Sequence, residues 1–222
     1  HYWRREYFPH YKAGRKKARA ASGHDWSSIF DSLNTIREEL KEHSPYKVID
    51  VEGAEADDII GVLVQRYSGS QKIMILSSDK DFAQLQRFSN VEQYSPIMKR
   101  FIKEPFPLIH LKQLVIRGDK SDGIPNILSP DDVFVSGGRQ KPITESKIIT
   151  WMNQNPDEFC NDEMLRNYSR NQMLIDLNCI PDKLRNAIVD KYETSSGRTK
   201  QEFMNYMISK RLKNLLEVAH EF

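Results

Sequence analysis

Three short segments of this chain concentrate carboxylate side chains at the ends of predicted strands and helices. They read E-A-D-D, S-S-D-K-D-F and G-D-K-S-D-G, and they contribute Glu55, Asp57, Asp58, Asp79, Asp81, Asp119 and Asp122. Crowding so much negative charge opposes folding unless a positive charge neutralises it. Because Mg²⁺ prefers carboxylate oxygens and keeps several bound waters, the clusters predict a divalent-metal site.

Each cluster also has a purely structural interpretation when it is taken alone. The first two are suited to cap a helix or to favour its positive end. The third is typical of an Asp-Gly turn. It does not begin an EF-hand loop, because its ligands do not alternate and Pro130 stands where the closing glutamate belongs. Three clusters in succession favour metal binding over three unrelated caps.

The first nineteen residues interleave basic and aromatic side chains. The basic residues are Arg4, Arg5, Lys12, Arg15, Lys16, Lys17 and Arg19, against the single acid Glu6. Aromatic residues between them suit this segment to phosphate neutralisation and to stacking on nucleic-acid bases. A solvated basic helix whose aromatic side chains face a core is an equally consistent interpretation.

The composition excludes several classes of protein. The 222 residues have 29% charged side chains and a net charge of only +2, so the average charge indicates no particular partner. Cys160 and Cys179 are far apart and in no metal-binding spacing, which predicts free thiols in a reducing compartment. No apolar run approaches the ~18 residues that span a bilayer, so we expect no membrane association.

Apolar periodicity predicts the elements that position the acidic clusters. In the first half, the predicted helices cover residues 26–43, 53–69 and 81–87, and the predicted strands cover 46–51, 72–76, 91–95 and 98–103. Asp79 then follows the carboxyl end of a buried strand, K-I-M-I-L, where parallel α/β sheets bind their ligands.

The second half favours helices and contains several prolines. The predicted helices cover residues 108–117, 146–153, 164–175, 184–192 and 201–218. This change of pattern predicts an α/β part over residues 1–105 and a mostly helical part over 106–222. A single fused domain is equally consistent with the pattern.

Four stretches resemble the structure-specific 5′ nucleases, the flap endonucleases and polymerase-associated 5′→3′ exonucleases, and most closely the ribonuclease H branch of T-even phages. They are Y-W-R-R-E-Y-F-P-H-Y-K-A-G-R, the three acidic motifs, and N-Q-M-L-I-D-L-N-C-I-P. The resemblance implies an α/β fold. Its parts would be a parallel-sheet nuclease core of the PIN and 5′-nuclease type and a helical part with a divergent helix–three-turn–helix DNA-binding motif.

The resemblance implies a role for each matching residue. Glu55, Asp57, Asp58 and Asp79 would lie near a first Mg²⁺, and Asp81, Asp119 and Asp122 near a second, with Mn²⁺ able to substitute. Lys12 and Arg15 would contact the scissile phosphate as catalytic cations, and Tyr11 would stack on a terminal base. Further nucleic-acid contacts are expected from Arg4, Arg5, Lys16, Lys17, Arg139, Lys141 and Lys147.

Two departures from the family pattern are visible. Family members carry two more metal-binding aspartates upstream of W-R-R, so we expect the N-terminal strands and a complete first metal site to require residues outside this chain. The family's G-x-x-G-I-G hairpin is replaced by a segment that begins I-P-N-I-L-S-P, so the sequence does not establish whether the family's K⁺ site is present.

The function implied is Mg²⁺-dependent hydrolysis of phosphodiesters near 5′ ends and flaps of RNA–DNA or DNA duplexes, removing primers and flaps in phage DNA replication. The expected partners are these nucleic acids, a single-strand-binding protein and a sliding clamp. The protein itself is expected to be a monomer in the cytoplasm of an infected bacterium. Two alternatives stay open: a non-catalytic DNA-binding fragment, and a PIN-class ribonuclease.

Overall fold

The computed structural model describes residues 2–221, which pack into two compact units. The first unit comprises the described residues up to Lys17 together with Glu52–Asn186, and the second comprises Ala18–Val51 together with the described residues from Ala187 onward. This packing does not follow the predicted division between residues 105 and 106, because elements on both sides of that point belong to the first unit.

The described residues form eleven α-helices, three strands and two 3₁₀ helices. The helices are α1 (Trp3–Tyr7), α2 (Gly14–Ala21), α3 (Trp26–His43), α4 (Ala56–Tyr67), α5 (Pro107–Arg117), α6 (Glu145–Met152), α7 (Pro156–Phe159), α8 (Asp162–Ile175), α9 (Asp182–Thr194), α10 (Lys200–Ser209) and α11 (Lys213–Glu217). The strands are β1 (Ile73–Leu76), β2 (Val91–Ser95) and β3 (Arg100–Ile102), and the 3₁₀ helices are Lys80–Arg87 and Ala219–Glu221.

The sheet of the first unit has the order β1-β2-β3. Strands β1 and β2 pair in parallel, with Ile73 opposite Val91, and the 3₁₀ helix lies in the crossover between them. Strand β3 pairs antiparallel to β2, with Ser95 opposite Arg100. The four residues between these two strands are too few for a crossover and can only form a hairpin. The predicted parallel sheet is therefore confirmed for β1 and β2 only.

The predicted strand over residues 46–51 is wrong. This segment belongs to the second unit, whereas all three described strands lie in the first, so it has no strand to pair with. It is held by other contacts: Lys47 donates to the Tyr192 carbonyl at 2.7 Å, and Arg198 donates its backbone N–H to Ser44. The predicted helix over 201–218 is broken after α10, where Arg211 has a φ of +55°.

The core of the first unit lies between α1, α5, α6, α8 and the segment after Gly118. Its fully buried members include Tyr11, Ile116, Ile124, Ile127 and Ile148. Burying each such side chain contributes roughly 1.5–3 kcal/mol relative to leaving it in water. This core lies directly behind the basic segment and the third acidic segment, because Tyr11 precedes Lys12 and Ile124 comes two positions after Asp122.

In the second unit, α3 keeps the predicted helical span, and several residues of its apolar side are exposed. Ile29, Leu33 and Ile36 remain 38%, 55% and 51% exposed. The helix is stabilised at its ends: Asp25 accepts the N–H groups of Ser27 and Ser28 at the N-cap. No helix among the described residues is long and apolar enough to cross a membrane.

Gly118 is a position where a side chain cannot be accommodated. Its φ is +67°, and a Cβ there would lie 2.3 Å from the Ile124 carbonyl oxygen. We expect Gly118→Ala to lower the free energy of unfolding by more than about 2 kcal/mol, because both the backbone conformation and the contact are unfavourable. Gly14→Ala is the control, since nothing lies within 4 Å of its Cβ position. Equal stability of the two variants in urea unfolding would contradict this structure of the turn.

Candidate metal and phosphate site

The S-S-D-K-D-F segment leaves the carboxyl end of β1 and enters the 3₁₀ helix. Asp79 is exposed and caps that helix by accepting the N–H of Asp81 at 3.0 Å. Gln93 on the neighbouring strand β2 is fully buried, and its amide donates to the carbonyls of Ser77 and Asp79 at 2.9 and 2.7 Å. The parallel pairing of β1 and β2 thus fixes the loop that carries both aspartates.

The E-A-D-D segment begins α4 and forms a capping box. Glu55 is the N-cap residue, and Asp58 accepts the Glu55 N–H at 2.9 Å. Asp58 is fully buried, whereas Asp57 is half-buried and lines a depression on the surface. The helix periodicity therefore sends neighbouring carboxylates to different places: one into the core and one towards the surface.

The G-D-K-S-D-G segment is closed by an isolated antiparallel β-bridge between its Asp119 and the following Ile124. The backbones of Asp119 and Ile124 exchange both hydrogen bonds at 2.8 Å. The backbone carbonyl of Asp122 accepts the N–H of Lys12 at 2.7 Å, which ties the basic segment to this turn. Side chains of α8 hold the following residues: Arg170 and Asn171 both donate to the Pro125 carbonyl.

The three acidic segments and the basic segment converge on one depression of about 380 Å³. Six carboxylates and three cationic side chains line it, so its formal charge is negative by three when all are ionised. The lining residues are Tyr2, Lys12, Arg15, Ala54, Glu55, Ala56, Asp57, Asp79, Lys80, Asp81, Asp119, Ser121 and Asp122.

Three of these carboxylates are paired with cations. Lys12 Nζ lies 2.5 Å from Glu55 Oε1 and 3.4 Å from Asp122 Oδ2. Arg15 donates to Asp122 Oδ1 at 2.7 Å, and Lys80 lies 2.7 Å from Asp119 Oδ2. Asp57 and Asp81 form no side-chain hydrogen bond or ion pair with any residue between 2 and 221.

In this arrangement, no three acidic, histidine or cysteine side chains within residues 2–221 are close enough together to enclose a metal ion. Three of the carboxylates, Glu55, Asp122 and Asp119, are instead paired with Lys12, Arg15 and Lys80.

The pKa values separate the unpaired acids from the paired ones. Burial, and then the charge of Asp79, raises the pKa of Asp57 to about 6. Burial, and then Asp79 and Asp119, raises the pKa of Asp81 to about 7. Burial also opposes the ionisation of Glu55, but Lys12 outweighs it and the pKa of Glu55 lies below its usual value.

Arg4 and Tyr11, which are predicted to contact nucleic acid, have buried side chains in this structure. Arg4 is 3% exposed, lies 3.1 Å from Glu55 and 2.7 Å from Asp58, and donates to the Leu174 carbonyl. Tyr11 is 2% exposed, and its hydroxyl lies 2.8 Å from Glu55 Oε2 and 3.1 Å from Asp122 Oδ2. In these buried positions their polar groups contact carboxylates of the protein, and their nucleic-acid roles stay predictions.

The other predicted site residues are divided between the depression and the surface. Asp58 lies outside the depression, where Arg4 and the Trp3 indole N–H occupy its carboxylate, and this position does not favour its predicted role as a ligand. The remaining predicted nucleic-acid contacts are all exposed; they are Arg5, Lys16, Lys17, Arg139, Lys141 and Lys147. The helix–three-turn–helix motif stays a prediction, as the structure shows α5 and α6 joined by a long segment of turns.

Sequence reasoning missed two residues that shape the site. Lys80 pairs with Asp119, and its position between two predicted ligands was the available signal. Gln93 positions the Asp79 loop, and a polar residue inside a buried strand was its signal.

Two family models match this chain. Residues 1–107 match the N-terminal resolvase-like domain of 5′-3′ exonucleases, and residues 107–222 match the C-terminal domain of T4 RNase H. Ribonuclease H of Enterobacteria phage T4 is 32% identical over 229 residues, covering all of this chain and 75% of that protein. Flap endonuclease Xni of Shewanella frigidimarina is 29% identical over 57% of this chain and 49% of its own length.

Solved structures of a bacteriophage T5 nuclease share the fold. A T5 protein co-crystallised with metal ions has a TM-score of 0.59 and 18% identity, covering 86% of this chain and 80% of its own. A T5 flap endonuclease complex with DNA and metal ions has a TM-score of 0.56 and 17% identity, covering 86% and 78%. At these identities, the likeness supports the α/β nuclease fold.

The buried Arg4 network predicts a large effect on stability. Arg4→Met would leave the Asp58 and Glu55 carboxylates without their guanidinium partner, and breaking a buried pair in this way costs about 3–5 kcal/mol. Arg5→Met is the matched control, because Arg5 is exposed and should change stability by less than about 1 kcal/mol. Urea unfolding of both variants measures the difference. Equal losses would mean that the Arg4 network does not stabilise the fold.

The raised pKa of Asp81 predicts how stability changes with pH in the metal-free protein. Its pKa is 3.8 when unperturbed and about 7 in the folded protein, so the folded state binds more protons between these values and loses stability as pH rises. We expect Asp81→Asn to be more stable than the parent at pH 8, and this advantage to shrink by pH 5. Urea unfolding in EDTA provides the measurement. A stability advantage of Asp81→Asn that grows on acidification would contradict the raised pKa of Asp81.

Proposed function

This chain belongs to the family of 5′-3′ exonucleases that includes phage T4 ribonuclease H, and we propose that it is a divalent-metal-dependent 5′ nuclease. Its proposed substrates are DNA and RNA–DNA duplexes with 5′ ends or flaps. The observation that carries the proposal is the convergence of three acidic motifs and two cations of the basic segment, Lys12 and Arg15, on one depression. Among the described residues that line it, Ser121 is the only serine, and there is no cysteine or histidine; the Ser121 hydroxyl donates to Asp119.

The donor set fits hard divalent cations. Asp57 and Asp81 are half-buried carboxylates without a cationic partner among residues 2–221, and the depression as a whole is negative by three. Glu55, Asp57 and Asp79 would hold metal on one side of it, and Asp81, Asp119 and Asp122 on the other. Bound Mg²⁺, or Mn²⁺ in its place, would supply an activated water and stabilise the leaving oxygen.

Lys12 and Arg15 have separate proposed roles. Lys12 is 6% exposed and lies 2.5 Å from Glu55, so it keeps that carboxylate ionised and in place. Arg15 has a side chain that is 46% exposed, which leaves its guanidinium able to reach a phosphate at the mouth of the depression. A bidentate guanidinium suits the charge that develops on a phosphoryl group during hydrolysis.

The substrate is proposed to be bound mainly through its phosphates. Arg5, Lys16 and Lys17 are exposed members of the basic segment, and Lys141 and Lys147 are exposed in the helical region. Removal of RNA primers and flaps during phage replication, in the cytoplasm of an infected bacterium, is the biological role that fits such a substrate. A single-strand-binding protein and a sliding clamp are the proposed protein partners of the monomer.

A second candidate function is DNA binding without cleavage. The pairing of Glu55, Asp119 and Asp122 with cations favours it, because those carboxylates are engaged by protein side chains. The two functions differ in whether added Mg²⁺ leads to hydrolysis.

Cleavage of a labelled 5′-flap duplex in Mg²⁺ tests the proposal. We expect cleavage that EDTA abolishes, and a loss of at least about 10²-fold in Asp79→Asn with DNA binding retained, because cationic contacts to phosphates supply most of the affinity. Asp190→Asn is the control, since Asp190 is exposed on α9 and is not among the residues that line the depression.

The same assay separates the two functions. Because the match to phage T4 ribonuclease H covers 75% of that protein, the chain is compared with a version extended at its N-terminus. Binding without cleavage by both forms would contradict the nuclease function. Parallel loss of binding and cleavage in Asp79→Asn would contradict the assignment of binding to the cations.

A further inference from the structure

Lys80 is the cation of the depression that neither the family motifs nor the proposed phosphate contacts require. Its Nζ lies 2.7 Å from Asp119 Oδ2, and its side chain is 53% exposed. It stands between Asp79 and Asp81, the two acids at the start of the 3₁₀ helix. A cation is unfavourable at the N-terminus of a helix, so the surrounding carboxylates, and not helix formation, explain its position.

Asp119 has one oxygen committed to the fold and one to Lys80. Its Oδ1 accepts the N–H and the hydroxyl of Ser121 at 2.7 and 2.6 Å, which fixes the side chain. Its Oδ2 makes its ion pair with Lys80 alone among the described residues. A divalent ion that binds Asp119 therefore has to use the oxygen that Lys80 now holds.

Lys80 also differs from the other two cations in how readily it can leave. Lys12 is buried against Glu55 and beneath the Tyr11 ring, at 4.7 Å from the ring centre. Arg15 is tied to Asp122 at 2.7 Å and already has a proposed role at the phosphate. The Lys80 side chain is more exposed than that of Arg15, and a solvent-exposed ion pair costs little to open.

We propose that Lys80 is a resident counter-ion that occupies Asp119 Oδ2 in the metal-free protein and must leave when a divalent metal binds. It stabilises the empty site and weakens metal binding there, so it sets the Mg²⁺ concentration at which this half of the site fills. This inference rests on the proposed metal-dependent function, which it deepens by naming a residue that controls metal affinity.

Titration of the metal-free protein with MgCl₂ and with MnCl₂, by isothermal calorimetry, tests the proposal. Lys80→Met removes the counter-ion, and Lys80→Gln is a second variant that keeps a polar side chain. Lys120→Met is the matched control, because it removes the same charge one residue from Asp119 and Lys120 is exposed without an ion pair among the described residues. Circular dichroism verifies that each variant is folded.

We expect both Lys80 variants to bind Mg²⁺ about tenfold more tightly than the parent, since a cation next to the ion is removed, and Lys120→Met to change affinity by less than about twofold. In EDTA, Lys80→Met should melt about 2–4 °C below the parent, because repulsion among the acids is no longer offset, and excess Mg²⁺ should cancel this difference.

The possible failures are distinguishable. If the parent binds metal and the Lys80 variants bind it equally or more weakly, the counter-ion role is overturned and the proposed function stands. If neither the parent nor any variant binds Mg²⁺ or Mn²⁺, the metal-dependent function is overturned and the counter-ion role with it. If Lys120→Met binds Mg²⁺ more tightly by the same factor as the Lys80 variants, the effect comes from the overall charge of the protein. That result would overturn the assignment to Lys80.

Discussion

Repulsion among six carboxylates around one depression is the interaction on which the rest of the structure depends. The fold neutralises part of this charge with three cations that come from two places in the sequence: Lys12 and Arg15 from the basic segment and Lys80 from within an acidic motif. Asp57 and Asp81 are left unpaired among the described residues, and burial together with nearby acids raises the pKa of both. A site that is only partly neutralised by the protein retains affinity for external cations, which is the physical basis of the proposed nuclease function.

The same charges connect the site to the core. Arg4 bridges Glu55, at the edge of the depression, to the buried Asp58 and to the carbonyl of Leu174 at the end of α8. Tyr11 contributes its ring to the core and its hydroxyl to Glu55 and Asp122. Consequently, part of the basic-aromatic segment stabilises the site from behind, and only its outward-facing members, such as Arg5, Lys16 and Lys17, remain for a nucleic acid.

Local patterns in the sequence predicted the elements that depend on local interactions. Strand β1 and helix α3 were predicted from an apolar run and from helical periodicity, and the structure confirms both spans. The strand over residues 46–51 was wrong because strand formation depends on a neighbour that the sequence pattern does not reveal. The exposed apolar side of α3 was also unpredicted, since periodicity indicates a face and not what covers it.

Within the site, the sequence identified the acids but not their partners. Arg4 was assigned to nucleic acid because a basic residue beside aromatics is typical of such contacts, whereas its guanidinium is buried against two carboxylates more than fifty positions away. Pairings of this kind depend on the tertiary fold.

The central claim is that this depression binds catalytic divalent metal, and the most direct test is a crystal soaked in Mn²⁺ with anomalous diffraction recorded. The result we expect is anomalous density inside the depression, within about 2.0–2.2 Å of carboxylate oxygens from Asp79, Asp81 or Asp119. A well-ordered depression without anomalous density, in crystals where Mn²⁺ binds elsewhere or not at all, would contradict the claim.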